Sequence, residues 1–387
     1  MKYTVVSYYD EFHCIGGSCE DSCCENWEID LDDDSVKKYL HQKGCFGKRL
    51  KANMRVKEKQ FILNGTRCPF LNEENLCDIY IEMGEQSLCE TCTNFPRHIE
   101  EFDDLKEVSL TMSCPEASRI MLAKDEKMEF VTKDGCDEDY GLKVINPKKS
   151  RLFFGKKNVN KLDQALFEIL EKARKILFDV LQNRQLSVEK RAVIVLLYGE
   201  QMQTLFNQKD YTGLREFVGS NAYDMEYKGA VSDFLETQKW LHQVLNMYEG
   251  LEVIKDEWSK LLVQGMECDY RENDRKEFEQ YLGNRQYEFE HILVYYMFNY
   301  FLGASYDGDI LTKVKMSVIS YLVIRQLDIA YWKQNQKTFT YEDQVFIAHA
   351  YSKEVEHSYN NFESLQLVLS AHPLLDVDHL VCGLKVL

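Results

Sequence analysis

Cys14-Ile-Gly-Gly-Ser-Cys19-Glu-Asp-Ser-Cys23-Cys24 opens a run of thiols whose reading decides how the first part of this chain folds. The run continues through Cys68-Pro-Phe-Leu, Cys77-Asp-Ile-Tyr and Cys89-Glu-Thr-Cys92-Thr-Asn-Phe-Pro-Arg97, and closes at Cys114-Pro115. Ten of the 13 cysteines lie within the first 114 residues; nine of the ten belong to this pattern, and Cys45 stands outside it. Thiols spaced this closely either cross-link a small secreted fold or hold a metal.

Size and compartment favour the metal. With 387 residues the chain can bury a core without staples. Met1 to Glu11 contains no apolar core of a secretory leader. The longest apolar stretch, Ile292 to Leu302, is interrupted by Asn299 and falls far short of the ~20 residues a membrane helix needs. The expectation is a cytoplasmic protein with reduced thiols and no membrane partner. The net charge is −17, and residues 1–120 carry 14 basic and 23 acidic side chains. Glu28-Ile-Asp-Leu-Asp-Asp-Asp34 and Glu100-Glu-Phe-Asp-Asp104 are the densest acidic runs. Such a surface repels nucleic-acid phosphates; it attracts basic partners or simply keeps the chain solvated.

The pattern of elements predicts a mainly α protein. A small, irregular α+β, cysteine-rich metal-binding domain spans residues 1–123. A polar connector covers 124–160, and an α-helical bundle domain covers 161–387. In the first domain, Asp30 to Leu40 reads as a short helix with acids in its first turn. Phe61 to Gly65 and Val108 to Met112 read as strands, and Cys114-Pro115 starts another helix. Beyond residue 160, Leu162, Leu166, Ile169, Leu170, Ala173, Ile176, Leu177 and Leu181 form a core-facing helical stripe. Ser187 caps a second helix. Further helices are expected near 211–220, 228–248, 274–303, 309–334 and 341–370. Thr340 with Asp343 forms a capping-box-like start for the last. Phe289 to Leu302 is apolar on nearly every side, which places that helix centrally.

Thiolates select zinc, copper(I) or an iron–sulfur cluster. Cys19-x3-Cys23 and Cys89-x2-Cys92 match the knuckles of a four-thiolate zinc. Nine thiols exceed one tetrahedral ion, however, and neighbouring side chains such as Cys23 and Cys24 diverge in an extended chain. A larger cluster or two metal sites uses the surplus better; spacing does not separate these choices. The framework ligands are therefore Cys14, Cys19, Cys23, Cys24, Cys68, Cys77, Cys89, Cys92 and Cys114. Cys45, Cys136, Cys268 and Cys382 are expected to be dispensable for the metal.

Cys19-x3-Cys23-Cys24, Cys68-Pro-Phe-Leu, Cys77-x-Ile-Tyr and the Cys-x-x-Phe-Pro-Arg ending at Arg97 resemble the YkgJ-type cysteine cluster, a zinc- or iron-chelating module. The fuller run Phe12-His-Cys-Ile-Gly-Gly-x-Cys-Glu-Asp-x-Cys-Cys-x-x-Trp27, with Cys89-Glu-Thr-Cys92, resembles the flagellin lysine-N-methylases of the FliB family. These motifs cover residues 1–120; the helical remainder agrees in length and character but carries no motif. The resemblance implies transfer of methyl groups from S-adenosylmethionine to lysine ε-amines of flagellin, and a 4Fe–4S cluster held by the cysteines. Two familiar patterns are missing. No Gly-x-Gly turn stands in a βαβ context, and Asn26 occupies the place that a Cys-x3-Cys-x2-Cys motif would give to its third thiol.

Methyl transfer needs a deprotonated lysine, so a carboxylate or tyrosine must accept its proton. Glu20, Asp21, Glu25, Tyr80 and Glu90 lie within the cysteine motifs and are the candidates. Arg97 could clamp a carboxylate bidentately, and Trp27 could stack on adenine. His13 does not pair with Cys14 as a nucleophile, since side chains at i and i+1 do not face each other, and His98 reads as a hydrogen-bonded side chain. Two other classes fit the same residues. One is a non-catalytic zinc-binding adaptor with a helical protein-interaction domain, and the other is an iron–sulfur redox or sensor protein.

Overall fold

The computed structural model describes residues 1–143, 161–220, 222–268 and 271–386. They divide into two units, one of residues 1–120, 130–143 and 357–359, the other of 121–129, 161–356 and 360–386. Part of the expected connector, 144–160, lies outside the described residues.

The first unit begins with β1 (Lys2–Val6), followed by α1 (Asp33–His41) and α2 (Gly44–Ala52). A minimal hairpin, β2 (Met54–Arg55) and β3 (Gln60–Phe61), leads to the short helices α3 (Asp78–Met83) and α4 (Glu90–Asn94). β4 (Arg97–Phe102), β5 (Leu105–Leu110), α5 (Pro115–Ala123) and β6 (Phe130–Asp134) complete the order. The sheet runs β4-β5-β1-β6, with β5 and β1 parallel and both outer pairs antiparallel. β5 is buried at all six positions. β1 and β4 were not legible in the sequence, and β6 falls in the stretch read as connector.

The second unit is helical. It comprises α6 (Gln164–Leu181), α7 (Val188–Asn207), α8 (Tyr211–Val218), α9 (Phe234–Glu249), α10 (Asp256–Glu267) and α11 (Glu272–Leu282). It continues through α12 (Tyr287–Tyr300), α13 (Ala304–Asp307), α14 (Ile310–Gln334), α15 (Tyr341–Glu356), α16 (Tyr359–Ala371) and α17 (Val377–Val386). Asp163, Ser187, Asp210, Asp233 and Asp309 cap their helices with side-chain oxygens. Thr340 and Asp343 exchange the two bonds of a capping box. Two expected helices are broken. The 274–303 helix divides at Gly283, whose φ of +55° leaves the right-handed region. The 341–370 helix stops at Glu356 and restarts at Tyr359. The short α13, together with α10 and α17, was not anticipated.

α12 is buried from Glu288 to Tyr300 and packs along α14, which in turn packs along α7. The last contact is close because position 199 is glycine; a Cβ there would stand 2.8 Å from Val314 Cγ2. The buried Glu290 carboxylate is paired: it accepts from Arg184 at 2.9 Å and from Arg191 at 2.5 Å.

Asp328 on α14 is fully buried. Burial pushes its carboxyl well above the ordinary 3.8, against the opposing pull of Gln344. The folded chain therefore holds a proton that the unfolded chain has already released. Stability from this group is complete below about pH 4 and is lost as pH rises, by up to ~1.4 kcal/mol per pH unit. Asp328→Asn should flatten the fall in urea midpoint as pH rises above about 4; an unchanged slope would show that Asp328 does not titrate there.

Candidate metal centre

Short loops carry most of the thiols, so polar anchors rather than long elements position them. Asp32 is the central anchor. Its carboxylate caps α1 through Ser35 N–H at 2.7 Å and also accepts the Glu90 N–H at 2.8 Å, which ties the Cys89-Cys92 turn to α1. Burial would raise this carboxyl, but bonds from Ser35 and Glu90 and the nearby Lys143 hold it below 3.8. Thr91 donates to the Asp30 carbonyl at 2.9 Å, and Tyr39 to that of Ser87 at 2.7 Å. Arg67 binds Glu25, the Asn72 carbonyl and Asn75, joining the residue beside Cys24 to the turn before Cys77. Arg49 binds Asp78 and the Pro69 carbonyl, fixing the segments that hold Cys68 and Cys77.

The two glycines of Cys14-Ile-Gly-Gly-Ser-Cys19 have separate reasons. Gly16 has φ +56°, and a Cβ on Gly17 would stand 2.7 Å from the Glu74 carbonyl oxygen. The loop carrying Cys14 and Cys19 thus lies directly on the loop that precedes Cys77.

These anchors gather five thiols onto one apolar cluster. Cys68 and Cys89 are buried in it beside Ile29, Leu50, Phe61, Phe70 and Ile79; Cys24, Cys77 and Cys92 pack against it. Cys77 and Cys89 each stand immediately before a helix. Backbone N–H groups of Ile79 and Tyr80 point at the Cys77 sulfur, and that of Phe70 at Cys68. Burial nevertheless prevails, raising Cys77 and pushing Cys68 up to about 12. Cys92 is raised by its hydrogen bond to Cys89 and by burial. The Cys23 and Cys24 thiols hydrogen bond to each other, with Cys23 raised and Cys24 lowered. The expected divergence of this pair does not occur, because both residues sit in a turn rather than an extended strand.

The donor set fits a soft metal group. It offers thiols only, in apolar surroundings, with backbone N–H groups aimed at sulfurs that would carry charge when ligated. Among the described residues no three Cys, His, Asp or Glu side chains stand close enough together to hold an ion as they are. Cys45 and Cys136 are exposed and Cys268 and Cys382 are buried; none of the four packs on the apolar cluster.

The remaining sequence candidates separate by environment. Glu20 pairs with Arg119 at 2.7 Å and Glu25 with Arg67 at 2.6 Å. The Asp21 carbonyl accepts the Cys19 thiol, and Tyr80 is 51% exposed. Glu90 is half-buried; burial with Asp32 and Glu101 nearby lifts its carboxyl to about 7. Arg97 is engaged by its own unit: it donates to Tyr9 Oη at 2.8 Å and to the carbonyls of Tyr140 and Thr93. Trp27 donates to the Cys23 carbonyl and packs at a tilt against Phe95 and His357, at 5.7 and 4.3 Å between ring centres. His357 was not singled out in the sequence; nothing in its local pattern marks it. His13 lies on the Glu11 carbonyl, and His98 is buried with Nε2 3.4 Å from Glu100. In the helical unit, Glu356 is buried and accepts hydroxyls from Tyr295, Tyr296, Tyr300 and Ser352. That polar centre was also invisible in the sequence, where the tyrosines read as core.

A family model described as the FliB lysine N-methylase C-terminal domain matches residues 174–383. The chain belongs to the FliB lysine N-methylase family. Two curated proteins named lysine-N-methylase, from Salmonella typhimurium and Salmonella choleraesuis, are each 28% identical over 161 residues. Those alignments cover 39% of this chain and 40% of each relative, so the match spans about two-fifths of their length. A flagellar biosynthetic protein FliU from Salmonella muenchen is 32% identical over 145 residues, covering 34% of this chain and 86% of the relative. No solved structure matches. No described helix is long and apolar enough to cross a membrane.

The Asp32 anchor has a direct test. Asp32→Ala removes a helix cap and leaves the Glu90 N–H without its acceptor, which should cost about 1–3 kcal/mol. Asp32→Asn keeps a capping oxygen and should lose less. Thermal unfolding of both variants beside the wild type checks the order; equal losses would contradict the anchoring role.

Proposed function

We propose that this chain transfers methyl groups from S-adenosylmethionine to lysine ε-amines of flagellin in the cytoplasm, and that its thiols hold an iron–sulfur cluster, of the 4Fe–4S type. The match to the FliB C-terminal domain carries the reading. Relatives named lysine-N-methylase and flagellar biosynthetic protein support the reaction and the substrate. Cys24, Cys68, Cys77, Cys89 and Cys92 are the residues we assign to the cluster, because they share one apolar surface. When bound, such a group supplies an iron able to act as Lewis acid and template for the amino and carboxylate groups of S-adenosylmethionine.

The chain's own residues supply the rest. The net charge of −17 attracts a lysine-bearing segment and disfavours nucleic acid. A lysine ammonium must lose its proton before its nitrogen can attack the methyl carbon. Glu20 and Glu25 are held by arginines. Glu90 sits half-buried inside the Cys89-Cys92 turn and makes no ion pair with an arginine or lysine among the described residues, so it is the first proton acceptor to examine.

Anaerobically purified protein incubated with S-adenosylmethionine and flagellin should add single methyl units to flagellin lysines, seen by mass spectrometry. Glu90→Gln should slow this by about 10²–10⁴-fold at unchanged iron content. Cys45→Ser and Cys136→Ser should leave both iron and turnover intact. Absence of methyl transfer by iron-loaded wild-type protein would defeat the proposal in favour of a non-catalytic binding role.

A further inference from the structure

The turn that carries Cys89 and Cys92 holds a lysine of this chain by backbone and side chain at once. Asn94, two residues after Cys92, binds the backbone of Lys143 twice. Its Oδ1 accepts the Lys143 N–H at 2.8 Å, and its Nδ2 donates to the Lys143 carbonyl at 3.2 Å. The carbonyl of Leu88, just before Cys89, accepts from the Lys143 ammonium, which also donates to Ser35 Oγ at 3.3 Å. Ser35 Oγ in turn donates at 2.7 Å to the Asp32 carboxylate, the same group that accepts the Glu90 N–H. Asn94 and Ser35 are buried, whereas Lys143 is half-buried. A carboxamide that takes both backbone groups of one residue, with oxygens placed for that residue's ammonium, reads a lysine as part of a peptide. None of these contacts requires that the lysine come from the same chain.

We propose that Asn94, Ser35 and the Leu88 carbonyl form the subsite that receives the substrate lysine, and that Lys143 fills it as an internal surrogate until a lysine-bearing segment displaces it. This rests on lysine being the methyl acceptor, as proposed above, and names the residues that read it. The stretch before Lys143 is tied down separately. The Tyr140 carbonyl accepts from Arg97 at 3.2 Å, and the Leu142 N–H donates to the Asp137 carbonyl at 3.0 Å. Lys143 therefore leaves the subsite without releasing that stretch. Its departure strips Asn94 and the Leu88 carbonyl of their partners, and an incoming lysine residue replaces them in kind. The subsite also sets a limit on the product. Unmodified and monomethylated lysine both have the two N–H groups that its oxygens bind; trimethyl-lysine has none.

Peptide binding to the anaerobically purified full chain tests this without S-adenosylmethionine. The probe is a fluorescein-labelled hexapeptide with the sequence of residues 141–146, Gly-Leu-Lys-Val-Ile-Asn, followed by fluorescence anisotropy. Circular dichroism checks the fold of each variant. Lys143→Ala should bind the probe at least ~10-fold more tightly than the wild type, because the surrogate's charge-assisted hydrogen bonds no longer compete. Lys143→Gln, which keeps the stem, should shift in the same direction and decides the matter if Lys143→Ala does not fold. The gain should disappear when the probe's lysine is trimethylated. A purely structural Lys143 would leave binding unchanged or weaken it in the folded variants, and that result would overturn the proposal. Equal binding of the trimethylated probe would overturn it too. A gain in Lys143→Ala without any methylation of flagellin would defeat the methyl-transfer reading and leave the lysine subsite standing. Methylation without that gain would do the reverse.

Discussion

Five sulfurs held against one apolar cluster are the constraint on which the cysteine-rich unit depends. Cys24, Cys68, Cys77, Cys89 and Cys92 come from four separate segments, and none of the elements between them exceeds nine residues. Elements this short cannot hold themselves in place. A few polar groups do the holding: Asp32 between α1 and the Cys89 turn, Arg67 between Glu25, next to Cys24, and the Asn72 turn, and Arg49 with Asp78 between Cys68 and Cys77. Burial keeps most of these thiols protonated while no metal is bound, so taking up a soft metal means exchanging protons for it.

The helical unit solves a different problem. Its core is large enough to set its own geometry, with α12 and α14 almost wholly buried. The charges it buries are placed among partners, Glu290 between two arginines and Glu356 under four hydroxyls. The family match falls on this half, where no motif was legible, whereas the resemblance was read from cysteines in the other half.

What the sequence disclosed follows from how far each signal reaches. Long periodic helices such as α6, α7 and α14 were legible, because a dozen or more residues vote for one face. The breaks at Gly283 and Glu356 were not, since a single left-handed glycine outweighs a continuing apolar pattern only once the chain is packed. β1 and β4 are short, and their partners are remote in sequence. The thiol framework was plain, but its division into five and four depends on which loops meet. The run Glu28 to Asp34 looked like a solvated acidic face. Asp32 within it is instead the residue that fixes α1 and the Cys89 turn, a role that needs the Glu90 N–H brought from 58 residues away.

An iron–sulfur cluster on those five thiols, as proposed, has a direct crystallographic signature. Anomalous scattering at the iron edge from anaerobically grown crystals tests it most directly. A compact group of iron peaks bounded by Cys24, Cys68, Cys77, Cys89 and Cys92 is expected. Iron-free density between those sulfurs, or iron lying away from them, would contradict it.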